Sequence, residues 1–147
     1  MIKEKLLKDC VLLEKQLAWL EISYQQCQAI GLKEDYSVDE FGYFETLCSR
    51  YSRGIDFLIR KIFRTIDEYE FENQGTLIDV VNNAHKRYLI TDIEELREMK
   101  DIRNTIAHEY VEDALSQVFD DILLFAPKLI TIMKTTVSYV QNATKER

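Results

Sequence analysis

Three side chains able to do chemistry lie within the eight residues 103–110. Arg103 supplies a permanent guanidinium, His108 an imidazole and Tyr110 a phenol. A guanidinium fork suits a phosphodiester or its pentacovalent transition state, and an imidazole can accept or donate a proton. The combination of Arg103 and His108 predicts metal-free RNA cleavage, in which the ribose 2′-OH attacks the adjacent phosphate.

Arg103 also occupies an unexpected place on its predicted helix. At about 100° per residue, the apolar side of that helix consists of Leu96, Met99, Ile102 and Ile106. Arg103 falls within this side, whereas Asn104 and His108 share a different one. A cation there is costly unless it is paired or faces a cleft. Two interpretations stay open: a buried Arg103 paired with Asp56 or Asp101, with His108 at an exposed helix end, or a phosphate site.

Cleavage of this kind requires both a general base and a general acid, and the motif supplies a single histidine. His85 could be the second, but its position near a helix end favours a structural role. A dimer that brings two copies of His108 together is simpler. The sequence therefore predicts a homodimer with a composite site across its two-fold axis, and no metal or cofactor.

Composition limits the alternatives. A length of 147 residues predicts a single domain, 1–147, and a net charge of −7 argues against an indiscriminate nucleic-acid coat protein. One segment, from Arg50 to Arg64, is clearly basic and reads either as a solvated helix face or as half of a phosphate-binding surface.

The absence of a run of about eighteen apolar residues and of an apolar signal core predicts a cytoplasmic protein without a membrane span. Cys10, Cys27 and Cys48 lack metal-ligand spacing and are expected to be core residues in a reducing compartment.

Four Gly and one Pro are few, which favours long helices with short connections. The first should run from about Lys3 to about Ile30 and stop at Gly31, with Trp19 and Leu12 widening its buried stripe. The second, from about Glu40 to Tyr69, should be capped by Ser37 or Asp39. Its Gly54 indicates either close approach of another group or a tolerated glycine.

Three further helices complete an all-α, up-and-down bundle of five helices, or six if the last one is split. A turn at Asn73-Gln74-Gly75 should lead to a short helix from Thr76 to about Leu89, with Tyr88 on its apolar face. The fourth helix begins with a cap at Thr91 or Asp92 and carries the motif. The last should run from about Glu112 to Asn142, kinked or split by Pro127 after Phe125.

The stretch Arg103-Asn104-Thr105-Ile106-Ala107-His108-Glu109-Tyr110 matches the Arg-x4-His-x-Tyr motif of HEPN-domain toxins. These are the HepT-like partners of minimal nucleotidyltransferase antitoxins. Asn104 matches the polar residue that often follows the motif arginine in that superfamily. The resemblance extends less specifically from about Phe44 to Val111, through residues 49–56 and 75–77.

The resemblance implies an all-helical homodimer whose motifs line an interface cleft. It implies a ribonuclease toxin of a toxin-antitoxin system, with Arg103 and His108 catalytic and Asn104 in support. It further implies that a cognate nucleotidyltransferase antitoxin transfers AMP from ATP to Tyr110, adding bulk and negative charge where RNA phosphate must bind. The alternative is a non-catalytic HEPN module that binds a nucleotidyltransferase partner or a nucleotide.

Overall fold

The computed structural model describes residues 1–71, 75–108 and 115–145. Its elements are α1 (Ile2–Ile30), α2 (Val38–Phe57), a π-helical turn (Leu58–Ile62), α3 (Phe63–Tyr69), α4 (Leu77–Lys86), α5 (Ile93–His108) and α6 (Phe119–Ala143). The run from α2 through α3 is one rod, so the described residues form five helical rods without a strand. The predicted all-α helical bundle is confirmed.

The helix ends follow from local side-chain chemistry. Ser37 caps α2 and Thr76 caps α4, each in a reciprocal capping box with the third residue of its helix. The Asp92 carboxylate accepts hydrogen bonds from the first backbone N–H groups of α5. Gly31 ends α1 with a φ of 74°, in the left-handed region that glycine tolerates. The predicted turn residues Asn73 and Gln74 lie outside the described residues.

The core lies between α1, the α2–α3 rod and α6, with α4 and α5 packed against that rod. Along the α2–α3 rod, apolar residues recur every three or four positions, and seven of them are buried: Phe44, Cys48, Tyr51, Ile55, Leu58, Ile62 and Ile66. A Cβ built on Gly54 would lie 3.2 Å from Cδ2 of Leu129 on α6. Gly54 therefore marks a close approach of two helices, which confirms the first of the two interpretations.

A partly buried ionic network joins α3, α4 and α6. Arg87, directly after α4, donates to Asp67 at 2.5 Å and to Glu70 at 2.6 Å. The Asp67 side chain is fully buried. Tyr139 of α6 donates to Glu70 at 2.6 Å, so the three helices share one set of charges. These bonds fix the end of the bundle that lies away from the motif.

Three side chains that were predicted to lie on buried helix faces are exposed. Trp19 is 56% exposed and Leu12 is 38% exposed, so neither widens the buried stripe of α1. The helices packed against α1 cover only part of the side on which its apolar residues lie, and Trp19 and Leu12 fall outside the covered part. Tyr88 is 83% exposed, because α4 ends at Lys86 and Tyr88 itself has a φ of 63°. That left-handed residue takes the chain away from the predicted helical face.

The last helix also differs. It begins at Phe119, and the predicted start at Glu112 lies outside the described residues. Pro127 does not split it, since one helix continues from Phe119 to Ala143. Buried residues flank the proline on both sides (Phe125, Ala126, Leu129 and Ile130). Packing of these neighbours offsets the backbone hydrogen bond that the proline removes.

Helix α6 has the length and composition of a membrane-crossing helix, with a mean hydropathy of 1.2 over an eighteen-residue window. It is the one such helix among the described residues. A core helix of a soluble bundle has the same profile. In this bundle α6 packs against α1, α2 and α5, and its inner positions from Phe119 to Val140 are buried.

Candidate functional site

Arg103 on α5 is paired with Asp56 on α2. Its Nε donates to Oδ1 at 2.9 Å and its Nη2 donates to Oδ2 at 2.7 Å, which is a bidentate pair. This hydrogen bond is the main cause that raises the pKa of Arg103 above its ordinary value. Of the two carboxylates considered from sequence, Asp56 is thus the partner, while Asp101 is exposed on the surface of α5.

The pair is not buried. The Arg103 side chain is 28% exposed and that of Asp56 is 34% exposed. Both border an open cleft of about 340 Å³ between α2 and α5, whose lining includes Glu45, Cys48, Ser49, Ser52, Arg53, Asp56, Arg103, Ile106, Ala107 and Leu115. Among the described residues the Nη1 group of Arg103 has no hydrogen-bond partner. Its outer edge is therefore available to an anion in the cleft.

A buried contact below the cleft holds α5 in register with α2. The hydroxyl of Tyr51 is fully buried and donates to the backbone carbonyl of Met99 at 3.0 Å. Burial raises the pKa of Tyr51, which keeps this donor protonated. Met99 lies one helical turn before Arg103 on α5. This bond therefore fixes the position of Arg103 along the helix axis relative to Asp56 on α2.

The cleft also contains a polar group that the sequence analysis missed. The Oγ of Ser52 is buried and has no hydrogen-bond partner among the described residues. Ser52 lies one turn before Asp56 on α2, and this spacing of four is the signal that could have identified it. Next to it, Arg53 donates to Oγ of Ser49 at 3.4 Å. A phosphate oxygen in the cleft would meet the guanidinium groups of Arg53 and Arg103 directly, and the Ser52 hydroxyl only after rotation of its side chain.

Asn104 and His108 do not join Arg103 in the cleft within one chain. Asn104 and His108 are exposed, and neither lines the cleft. Five residues along an α-helix correspond to about 140° of rotation, so Arg103 and His108 point to different sides of α5. His85 is exposed near the end of α4. Tyr110 lies outside the described residues.

The three cysteines are buried and free, as expected for core residues. Burial raises the pKa of Cys10 to about 11 and that of Cys27 and Cys48 to about 12. At neutral pH they remain thiols and are poor nucleophiles. The described residues contain no cluster of three or more His, Cys, Asp or Glu side chains able to hold a metal ion.

Comparisons of the chain with family models, with curated proteins and with solved structures give no match.

Proposed function

We propose that the chain is the toxin of a toxin-antitoxin pair, a metal-independent cytoplasmic endoribonuclease with Arg103 and His108 as its catalytic residues. The observation that carries this proposal is the setting of Arg103. Its guanidinium is held bidentately by Asp56 at the edge of an open cleft, with Nη1 left for a ligand. In the cleavage step this edge binds the scissile phosphate and stabilises the charge that grows on it.

Asp56 acts as a positioning residue in this proposal. A bidentate pair fixes the plane of the guanidinium, which a single hydrogen bond would leave free to rotate. Ser52 lines the same cleft, and rotation of its buried hydroxyl towards the phosphate would supply a further donor. The arrangement resembles an anion site more than a stabilising surface ion pair, since part of its donor capacity is unused.

The divergence of Arg103 and His108 on α5 favours a composite site. Within one protomer their side chains are separated by about 140° around the helix. In a homodimer packed with the two α5 ends together, His108 from each copy faces the shared cleft. One imidazole accepts the proton of the attacking 2′-OH and the other donates a proton to the leaving 5′-oxygen.

The first experiment is RNA cleavage by purified protein in EDTA. We expect products with 2′,3′-cyclic phosphate ends, since the attacking oxygen is the adjacent 2′-OH. His108→Ala should lower the rate by about 100-fold or more, because it removes the acid–base group. The matched control is His85→Ala, which changes the only other histidine in the chain. Full activity of His108→Ala, or equal loss in both variants, contradicts the mechanism.

The composite site is tested with a purified heterodimer of one wild-type and one His108→Ala chain. A site that needs both imidazoles should retain less than a tenth of wild-type activity. Two independent sites would retain about half. A protein that is an active nuclease and a monomer at micromolar concentration would also contradict the two-chain site.

We further propose that Tyr110 is the regulatory residue, modified with AMP by the nucleotidyltransferase partner. Each AMP would add bulk and negative charge where RNA phosphate must bind, and so repel the substrate. Mass spectrometry after co-expression with the partner should place the adenylyl group on Tyr110. Tyr110→Phe should remain toxic in the presence of the partner, and modification of another tyrosine contradicts the assignment.

A second candidate is a non-catalytic module that binds a nucleotidyltransferase or a nucleotide. The observation in its favour is that Arg103 is already paired with Asp56 while His108 lies elsewhere on the helix. This candidate predicts partner co-purification without RNA cleavage and without a growth defect on expression. Growth assays of the wild type, Arg103→Ala and His108→Ala, with and without the partner, distinguish the two candidates.

A further inference from the structure

A second cavity lies beside the Arg103 cleft, on the surface where α1 meets α2. It has a volume of about 240 Å³ and is lined by Gln16, Trp19, Arg50 and Arg53. These residues are one aromatic ring, two guanidinium groups and one amide. The basic segment predicted from the sequence thus contributes its first two arginines to a pocket that contains the chain's single tryptophan.

Trp19 is held by Arg50 and remains partly exposed. The guanidinium of Arg50 lies over its ring, 4.8 Å from the ring centroid. Arg50 also donates to the backbone carbonyl of Trp19 at 2.9 Å and to Oγ of Ser23 at 2.7 Å. Because Trp19 is nevertheless 56% exposed, its ring retains free surface on which a planar group can stack.

The pocket also has an unused acceptor. The side-chain oxygen of Gln16 is buried and has no hydrogen-bond partner among the described residues. A buried acceptor without a donor costs free energy, which rotation of the Gln16 side chain towards a ligand N–H or O–H in the pocket would recover. An aromatic platform, fixed cations and a free acceptor are the features by which proteins bind a nucleotide of a single strand.

Arg53 connects this pocket to the Arg103 cleft, because it lines both. Arg50, Arg53 and Asp56 follow one another in steps of three along α2, so Arg53 lies beside each of the other two, which are about 120° apart around the helix. Each step of three residues rises about 4.5 Å, so Arg50 in the Trp19 pocket and Asp56 in the Arg103 cleft lie about 9 Å apart along the axis of α2. A ligand that occupies both must be longer than one nucleotide.

We propose that Trp19, Arg50 and Arg53 form a subsite for the nucleotide next to the scissile phosphate, in a single-stranded RNA that runs from this pocket to Arg103. The base stacks on Trp19, and the intervening phosphate lies against Arg53. This assignment rests on the proposed ribonuclease function and extends it to the substrate class, an unpaired strand. A duplex does not expose the face of a base for stacking.

The test uses a 2′-O-methyl RNA oligonucleotide, which lacks the attacking hydroxyl and is not cleaved. Because Trp19 is the only tryptophan, its fluorescence in the wild-type protein reports directly on stacking. We expect saturable quenching, with the same Kd as the anisotropy of a labelled oligonucleotide. Trp19→Ala should weaken binding roughly 5- to 100-fold, and Trp19→Phe much less, since phenylalanine still stacks.

The contribution of the Arg53 charge to RNA binding is tested against a control variant at Arg97. Arg53→Gln should weaken binding and reduce the slope of log K against log salt by about 0.7, the value for one phosphate of a single strand. Arg97→Gln makes the same charge change on α5, where Arg97 is 65% exposed and paired with Glu94. It should leave both the affinity and the salt slope unchanged.

The outcomes separate this inference from the proposed function. RNA cleavage that depends on His108, together with unchanged oligonucleotide affinity in Trp19→Ala and no quenching in the wild type, overturns the subsite alone. A wild-type protein that neither binds nor cleaves RNA overturns the ribonuclease and the subsite together. Quenching by AMP or ATP as tight as by the oligonucleotide identifies a mononucleotide site and overturns the strand assignment.

Discussion

Replacing Asp56 by asparagine separates the two readings of the Arg103 pair. The change removes the charge and leaves an amide that is close to isosteric with the carboxylate. If Asp56 positions the guanidinium for catalysis, RNA cleavage falls while the fold is retained. If the pair only stabilises the bundle, stability falls and cleavage per folded molecule is unchanged.

The expected loss of stability follows from the exposure of the pair. Removing one partner of a buried pair costs about 3–5 kcal/mol, because the other charge is left without solvent. Here the two side chains are 28% and 34% exposed, so solvent screens the pair and hydrates whichever charge remains. We therefore expect a loss of about 1 kcal/mol, or roughly 2–4 °C in Tm for a chain of this size.

The expected loss of activity is larger. A guanidinium released from its bidentate partner rotates, and a displacement of about 1 Å at a reacting group costs about 100-fold in rate. Single-turnover cleavage by Asp56→Asn should therefore fall about 100-fold, with a smaller change in RNA affinity. Urea unfolding followed by Trp19 fluorescence measures stability in the same preparations, and a double-mutant cycle with Arg103→Gln measures the coupling.

A second interhelical pair supplies the control. Lys128 on α6 donates to Glu95 on α5 at 2.7 Å, and the two side chains are 41% and 28% exposed. Glu95→Gln should cause a comparably small loss of stability and leave cleavage unchanged. A coupling of about 3 kcal/mol or more between Asp56 and Arg103 would refute the estimate for an exposed pair. Unchanged cleavage in Asp56→Asn would refute its positioning role.

Three further predictions concern the fold that holds the site. Gly54→Val should lower the free energy of unfolding by about 1–3 kcal/mol, because the added carbons meet Leu129 where α2 and α6 approach closely. Arg87→Ala should lower it by about 3–5 kcal/mol, since the fully buried Asp67 loses its cation; chemical denaturation measures both. The three buried thiols should react with iodoacetamide at pH 8 only after unfolding. Their raised pKa values, to about 12 for Cys48, mean that the unfolded chain releases thiol protons near pH 9 while the folded chain retains them. Stability should therefore fall as pH rises from 9 towards 12, less steeply in Cys48→Ala.

Much of the fold follows from local signals in the sequence. The recurrence of apolar residues every three or four positions on α2 matches its buried side. Thr76, and Ser37 as one of two candidate caps, indicated two helix starts. These features depend on residues a few positions apart in the same helix, so they can be predicted without knowing how the helices pack. Gly54 was a weaker signal, because a glycine in a helix indicates either contact or tolerance until the neighbouring helix is placed.

What sequence reasoning missed depends on tertiary packing. The exposure of Trp19 is decided by how wide an arc of α1 its neighbours cover, which the spacing within α1 does not contain. Continuity of α6 through Pro127 depends on the packing of both flanks. The choice of Asp56 over Asp101 as the partner of Arg103 joins residues 47 positions apart. The spacing rule that relates Ser52 to Asp56 was available, but it required knowing that this face of α2 borders a cleft.

The hydroxyl of Tyr51 has a mechanical consequence for how the site can be controlled. Its hydrogen bond to the Met99 carbonyl links α2 to α5 within the buried core and acts as a pin between them. Sliding α5 by one turn, about 5.4 Å, would break this pin and leave a buried hydroxyl without an acceptor. Movement of α5 along α2 therefore requires breaking a buried hydrogen bond, which makes a helix ratchet an expensive switch here. Control by a bulky, charged adduct that obstructs the cleft needs no such movement.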